Sequence, residues 1–137
     1  KADDNDPLHA LTATNLDVKA NCKNNKFNFI VRSVFVVNES WSKNKKSEKL
    51  LLHEQLHFDL TEVYARKLRK KLSEIEDPCL LSNQESLNPI IAGIFDEWKA
   101  EQDRYDADCD HGLDYEKQDE WVKNINARLK ELEAYKS

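Results

Sequence analysis

The chain has 137 residues, of which 39% are hydrophobic and 34% are charged, a composition that suits one globular domain over residues 1–137. Its 21 basic and 26 acidic residues give a formal net charge of −5, which argues against a general nucleic-acid binder. No apolar run approaches the length of a membrane span. The 3 cysteines form no CxxC pair, which excludes a cysteine-rich zinc site, and a single disulfide is compatible with the sequence without fixing the pairing.

The first predicted elements are two strands. The stretch from Leu16 to Ala20 alternates apolar and polar residues, as a half-buried strand does. The stretch from Lys26 to Val37 is rich in β-branched and aromatic residues and predicts a second strand. The turn-forming Asn24-Asn25 pair lies between them, so we expect an antiparallel hairpin.

Three helices are predicted after the hairpin, because apolar residues recur at helical spacing and glycine and proline are scarce. Leu52 and Tyr115 are among the residues expected to be buried. Ser47 and Asn88 suit the N-cap positions of the first two helices. The sequence therefore predicts an α+β domain, a small antiparallel sheet followed by three helices. The expected helix bounds are about Ser47 to Glu76, Asn88 to Asp108 and Asp114 to Tyr135.

The first predicted helix contains an HExxH pentapeptide, which begins at His53 and ends at His57. Residues four apart lie on the same face of a helix, so the two imidazoles can bind one zinc ion. Glu54 follows His53 and can reach a water at that ion. A chance HExxH in a chain of this composition has a probability of about one in a hundred. The motif is therefore the strongest functional signal in the sequence.

Catalytic zinc usually takes three protein ligands, so a third must come from elsewhere in the chain. The longer HExxHxxGxxH pattern fails, because Leu60 and Val63 occupy its glycine and histidine positions. His9 and His111 remain as candidates, together with a later carboxylate. His111 is the more specific of the two histidines, because it lies in a break between predicted helices, where a loop residue can be aimed at a metal.

Several carboxylates are alternatives to His111 or could orient the site. Glu97 and Glu101 lie one turn apart on the second predicted helix, at a spacing suited to a glutamate ligand. Asp106 and Asp110 flank His111 and could act as a ligand or hold a ligand in place by a hydrogen bond. Tyr64 lies two turns beyond His57 on nearly the same face and is expected to pack beside the site or in the core.

The motifs also resemble a bacterial family, domain-of-unknown-function family 922, described as secreted, zinc-dependent proteases. The similar segments are Leu51–Leu60, Tyr64–Arg69 and Tyr105–Gly112, followed by Gln118 and Trp121. The resemblance implies a zincin-like helix around the HExxH motif, Zn²⁺ as cofactor and His111 as the third ligand. It also implies export, so we expect a secreted or periplasmic protein whose signal peptide has been removed.

The leading functional hypothesis is a zinc metallopeptidase acting on a peptide or protein substrate. His53, His57 and His111 would bind zinc, which acidifies a bound water and polarises the scissile carbonyl. Glu54 would take the proton from that water and deliver it to the leaving amine.

Two other functions are compatible with the sequence. One is a non-catalytic zinc-binding interaction module of the cell envelope, because little chain remains for a substrate cleft and Lys26–Val37 is the best candidate for its edge strand. The other is a helical structural domain in which the HExxH motif is accidental. Such a structural domain would bind no metal, and a chelator would not change its free energy of unfolding.

Overall fold

The structure is a computed structural model that describes residues 12–37, 48–80, 87–110 and 113–136. A two-stranded antiparallel sheet precedes three helices, which confirms the predicted α+β class. The elements in chain order are β1 (Thr12–Lys23), β2 (Lys26–Val37), α1 (Glu48–Ser73), α2 (Leu87–Asp108), α3 (Tyr115–Glu131) and a short 3₁₀ helix (Glu133–Tyr135).

The hairpin turns on two asparagines with positive φ angles, 53° at Asn24 and 65° at Asn25. Two such residues suit a type I′ turn, whose twist matches that of the flanking strands. The turn closes the pair Lys23 and Lys26, and this register extends the pairing over all of β1, beyond the Leu16 to Ala20 stretch that alternation predicts. One face of the hairpin is apolar and carries the buried Leu16 and Val31.

Helix α1 is the central element, since it packs on both strands, on α2 and on α3. Its buried stripe includes Leu56, Leu60, Val63, Leu68 and Leu72. The other helices add Ile94, Tyr105 and Ile125 to the same core. Within the described ranges, no helix is long and apolar enough to cross a membrane.

The helix boundaries correct the sequence predictions in detail. Helix α1 ends at Ser73, three residues earlier than expected, before the break at Asp77-Pro78. Helix α2 begins at Leu87, so Asn88 lies inside it and is not the N-cap. For α3 the predicted start is confirmed, because the Asp114 side chain accepts from the Lys117 N–H and caps the helix, but the α-helix ends at Glu131 and the predicted last turn is the 3₁₀ helix Glu133–Tyr135. Ser47 lies outside the described residues.

Two residues expected in the core are exposed. Leu52 is 37% exposed and Tyr115 is 51% exposed. Both lie in the first two turns of a helix. Periodicity assigns a residue to a face of its helix, but it does not show how far along the helix that face is covered.

A disulfide between Cys22 and Cys79 ties the tip of the hairpin to the segment after α1. The two cysteines are 57 residues apart in sequence. In the chain-entropy description, a cross-link that closes a loop of this length stabilises the fold by about 4 kcal/mol. The third cysteine, Cys109, is free and buried. The link fixes the end of β1 relative to α1.

Candidate metal centre

Two histidines of α1 and one aspartate of α2 converge on a single point. His53, His57 and Asp106 each offer one atom suited to bind a metal, and these atoms lie within 4.8 Å of one another. The Oδ1 of Asp106 lies 2.7 Å from Nε2 of His53 and 3.2 Å from Nε2 of His57. The helical spacing that predicts the histidine pair is therefore observed, and Asp106 completes a group of three. We call these three residues the metal group.

The His57 ring is held from behind by Gln102. Its Nδ1 lies 2.5 Å from Oε1 of Gln102. The amide nitrogen of Gln102 donates to the His57 carbonyl at 3.2 Å and to Oγ1 of Thr61 at 2.8 Å. These two hydrogen bonds fix the orientation of the Gln102 amide, so that its oxygen faces the ring. Oε1 therefore accepts from an N–H at Nδ1 of His57.

The His53 ring is held in the same manner by Gln118. Its Nδ1 lies 2.7 Å from Oε1 of Gln118. The amide nitrogen of Gln118 donates to the Tyr105 hydroxyl at 2.8 Å, and that hydroxyl donates to the His53 carbonyl at 2.7 Å. The Tyr105 ring also stacks on the His53 ring at 4.5 Å between centroids. The direction of this chain again places the hydrogen of His53 on Nδ1.

When protonated, each ring donates from Nε2 to Asp106; when neutral, both rings are in the tautomer that leaves Nε2 without a hydrogen. Two Nε2 lone pairs then face one carboxylate oxygen of Asp106, an arrangement of three acceptors that repel one another unless protons or a cation lie between them. Two protons would make both neighbouring imidazoles cationic, whereas one metal ion satisfies all three atoms. The hydrogen-bond pattern therefore fits a bound cation.

The contacts within the metal group shift the pKa values of Asp106 and His57. Burial alone would raise the pKa of Asp106, but its bonds to His53 and His57 hold that pKa far below its usual range. Burial would lower the pKa of His57, but the bonds to Asp106 and Gln102 and the charge of Glu54 raise it above 6.5. A strongly acidic carboxyl stays ionised and able to bind a cation near neutral pH.

Glu54 lies beside the metal group on the same helix and is only 2% exposed. Its charge raises the pKa of His57 and, after the larger effect of burial, contributes to raising that of Tyr105. The carboxylate is therefore close enough to act on His57 electrostatically. This position suits the role of a base next to the metal group.

The spacing of the group can be compared with what zinc requires. Ligand atoms about 2.05 Å from a tetrahedral zinc ion lie roughly 3.3 Å from one another. The distance of 3.2 Å between Oδ1 of Asp106 and Nε2 of His57 matches this value. The distance of 2.7 Å between Oδ1 of Asp106 and Nε2 of His53 would have to lengthen by about half an ångström. Two imidazoles and one carboxylate suit zinc and also several other first-row metals. The residues therefore fit a metal ion whose identity the geometry leaves open.

Other sequence-predicted site residues lie elsewhere. Tyr64 donates to Glu101, which also pairs with Arg128, so neither Tyr64 nor Glu101 is part of the metal group. Glu97 is exposed on α2 and Asp110 is exposed just after that helix, with a φ of 47°. Over the four described ranges, no other set of three ligating side chains is found. His9 and His111 lie outside the described residues, and the role of His111 as a ligand stays a prediction.

Sequence reasoning missed Gln102 and Thr61 and noted Gln118 only as part of the family pattern. Gln102 lies four residues before Asp106, so both face α1 from the same side of α2. That spacing is a usable signal once the aspartate is known. Gln118 comes from α3, and only the tertiary fold brings it to His53. A cavity of about 410 Å³ opens beside the group and is lined in part by Thr14, Trp98 and Lys99.

The comparisons with known proteins agree with the motifs. The sequence pattern of one family, described as "Bacterial protein of unknown function (DUF922)", matches residues 1–112. No curated protein and no solved structure matches the chain. The matched range covers the hairpin, α1 with both histidines, and all of α2 with Asp106. The chain therefore belongs to this bacterial family, which itself has no known function.

Proposed function

We propose that the protein is a zinc metallopeptidase. Zinc is bound by His53, His57 and Asp106, and the substrate is a peptide or protein. The single observation that carries the proposal is the convergence of two Nε2 lone pairs and a carboxylate oxygen beside a buried glutamate on the same helix. This combination supplies a metal ligand set from α1 and α2, with a base within one turn of the two histidines on α1.

The residues of the chain have separate tasks in this proposal. Gln102 and Gln118 hold the two imidazoles so that Nε2 faces the metal. When bound, zinc acidifies the attacking water and polarises the carbonyl of the peptide bond. The carboxylate of Glu54 accepts a proton from that water as its oxygen bonds to the carbonyl carbon. Glu54 then returns the proton to the nitrogen as the C–N bond breaks, which yields a carboxylic acid and an amine.

The disulfide supports a location outside the reducing cytoplasm. Structural disulfides persist in oxidising compartments, among them the bacterial periplasm and the extracellular medium. The bond between Cys22 and Cys79 fixes the hairpin to the segment after α1 and is therefore structural. We accordingly include secretion or periplasmic export in the proposal. The membership in a bacterial family is compatible with both locations.

One observation favours a second function, a zinc-binding interaction module without catalysis. Glu54 is 2% exposed, and a base must meet a water in order to act. If no water reaches this carboxylate, then its role is to balance the charge of the metal group. The module would bind zinc as tightly as the peptidase but would cleave nothing.

A glutamine substitution separates the two functions. Glu54→Gln keeps the size of the side chain and removes the base, so we expect hydrolysis of an unfolded protein mixture to fall by about 10²–10⁴-fold while zinc stays bound. Glu97→Gln is the matched control, because Glu97 is an exposed glutamate of α2 outside the metal group. Cleavage is followed by mass spectrometry of the products and zinc by elemental analysis.

Each result assigns the function. Cleavage by the zinc-loaded parent and by Glu97→Gln, with none by Glu54→Gln, supports the peptidase. Full cleavage by Glu54→Gln overturns the assigned base. Zinc binding without any cleavage by the parent supports the module in place of the peptidase.

A further inference from the structure

The hairpin has two outer edges, and its turn fixes which backbone groups face them. In a hairpin with a two-residue turn, the pair that flanks the turn is hydrogen-bonded, and bonded and non-bonded pairs then alternate. Lys23 and Lys26 flank the turn, so Val18 and Ala20 belong to non-bonded pairs. Their N–H and C=O groups therefore point away from β2, toward the outer edge of β1.

Three observed hydrogen bonds agree with this assignment. The carbonyl of Val31, the partner of Val18, accepts from Arg69 at 3.1 Å and 2.6 Å. The N–H of Leu16, another residue of a non-bonded pair, donates to the Asn15 side chain at 2.9 Å. Both groups face outward, as the alternation requires.

The two edges differ in what covers them. On the β2 side, Arg69 binds the Val31 carbonyl and is itself held by Glu62 and by the Tyr135 carbonyl. On the β1 side, none of the backbone–backbone hydrogen bonds among the described residues joins Val18 or Ala20 to another element. Among the described residues, the edge of β1 is therefore a better candidate for a substrate edge than that of Lys26–Val37, although the sequence favours the latter.

A groove runs between this edge and the first half of α2. It forms a cavity of about 490 Å³. Leu16 and Val18 of β1 line one side, and Ile91 and Phe95 of α2 line the other. The groove thus combines outward-facing backbone groups with apolar side chains, the two features that an added strand uses for affinity and for side-chain preference.

A second cavity, beside the metal group, is lined by the same strand and helix as the groove. Thr14, two residues before Leu16 on β1, lines the cavity that contains His57 and Asp106. Its hydroxyl accepts from Thr61 at 3.3 Å, and Thr61 in turn accepts from Gln102, the residue that holds His57. One edge strand and one helix therefore line both cavities, and along α2 the residues at the metal group follow those of the groove.

We infer that the groove binds an extended peptide as a third strand on the edge of β1 and leads it to the metal group. The inference rests on the proposed function in taking this peptide as the substrate. Residues 14–22 of β1 span roughly 26 Å, enough for about eight residues of a bound strand. Because Ile91 and Phe95 face the groove, alternate residues of the substrate are apolar.

Hydrogen exchange of the backbone amides tests the binding separately from hydrolysis. The protein is zinc-loaded Glu54→Gln, and the probe is an unstructured peptide of about ten residues that alternates valine and serine and has a lysine at each end. We expect the amides of Val18 and Ala20 to exchange about tenfold more slowly with the peptide bound. The amides of Lys19 and Asn21, which already face β2, serve as internal controls and change little.

A backbone substitution gives a second test. Ala20→Pro removes one outward N–H, whereas Ala20→Ser keeps it and is the matched control. We expect the proline variant to bind the probe about two- to tenfold more weakly than the serine variant, the effect of one lost hydrogen bond. Equal binding by the two variants contradicts strand addition at Ala20.

The remaining outcomes separate the inference from the proposed function. Slower exchange at Val18 and Ala20 without cleavage by the parent supports the groove and overturns the peptidase. Cleavage by the parent without slower exchange overturns the groove and leaves the peptidase. No change in exchange at about 1 mM probe overturns the groove. Slow exchange at Val18 and Ala20 in the free protein also overturns it, because the chain itself would then cover the edge. Protection that grows with protein concentration overturns it as well, because a second copy would then cover the edge.

Discussion

Two buried polar clusters join α1, α2 and α3, and they differ in how their charges are balanced. In the first, Arg128 makes two hydrogen bonds to Glu101, at 2.7 Å and 2.8 Å, and Tyr64 donates to the same carboxylate. One positive and one negative charge meet with donors matched to acceptors. In the metal group, two histidines with Nδ1 already bonded face the carboxylate of Asp106.

The comparison distinguishes a structural cluster from a functional one. The Arg128–Glu101–Tyr64 cluster is complete without a ligand, and its energy holds the helices together. With both rings neutral, the metal group has an excess of acceptors, which protons or a bound cation would balance. Buried polar groups are normally satisfied by protein partners, so three acceptors that one cation would satisfy together point to binding.

The largest expected effect concerns the structural cluster. Arg128→Met keeps the length of the stem and leaves the Glu101 carboxylate buried beside Tyr64, so we expect the free energy of unfolding to fall by about 3–5 kcal/mol. Urea denaturation measures this change, and zinc content should stay at the parental value. Arg104→Met is a matched control, because Arg104 is an exposed arginine of α2. Loss of zinc in Arg128→Met would mean that the two clusters are not separate.

The next effect concerns the metal group. Zinc bound only by the folded state should stabilise the parent by about 4 kcal/mol at a free zinc concentration a thousandfold above its dissociation constant. A chelator should remove this gain, and His57→Ala should not show it. Thermal unfolding with and without zinc measures both. An equal response of the parent and His57→Ala would exclude His57 as a ligand.

A smaller effect is expected behind His53. Gln118→Leu leaves Nδ1 without its acceptor, so zinc affinity should fall by about 10–100-fold. Gln118→Glu keeps an acceptor at that place and should retain most of the affinity. Competition with a chromogenic chelator gives both values. Equal losses in the two variants would indicate a packing defect instead of a lost hydrogen bond to His53.

The smallest effect is a change in acid stability. Burial would raise the pKa of Glu101, but Arg128 and Tyr64 lower it below 4.5 in the folded protein. Its contribution to stability is thus fully present above pH 4.5 and is lost as the pH falls through the lower, folded pKa. Glu101→Gln lacks this contribution, so its unfolding free energy should fall less steeply below pH 4.5 than that of the parent. Parallel slopes in urea titrations would contradict this sign.

Much of the architecture could be predicted because it depends on local pattern. The alternation from Leu16 to Ala20, the β-branched and aromatic residues of Lys26–Val37 and the Asn24-Asn25 turn predict the hairpin. Apolar periodicity predicts the three helices. The HExxH spacing places His53 and His57 on one face, since helical geometry alone determines that relation. The proximity of Asp106 to these histidines could only be offered as one of several alternatives, because it depends on how α2 packs on α1.

The rest of the site depends on tertiary contacts that one sequence does not encode locally. Gln118 reaches His53 from a helix 65 residues later in the chain, and no spacing rule connects them. The Cys22–Cys79 pairing likewise depends on where the hairpin tip meets the end of α1. Glu101 had the right spacing for a ligand, but Arg128 engages it instead.

The most direct test of the metal group is the zinc content of the parent, Asp106→Ala and Asp103→Ala after zinc supplementation and dialysis. Asp103 lies one turn before Asp106 and lines the same cavity, so its variant is the matched control. Elemental analysis should give close to one zinc per chain in the parent and in Asp103→Ala, and far less in Asp106→Ala. Parental zinc in Asp106→Ala, or no zinc in the parent, would contradict the assignment of His53, His57 and Asp106 as a metal centre.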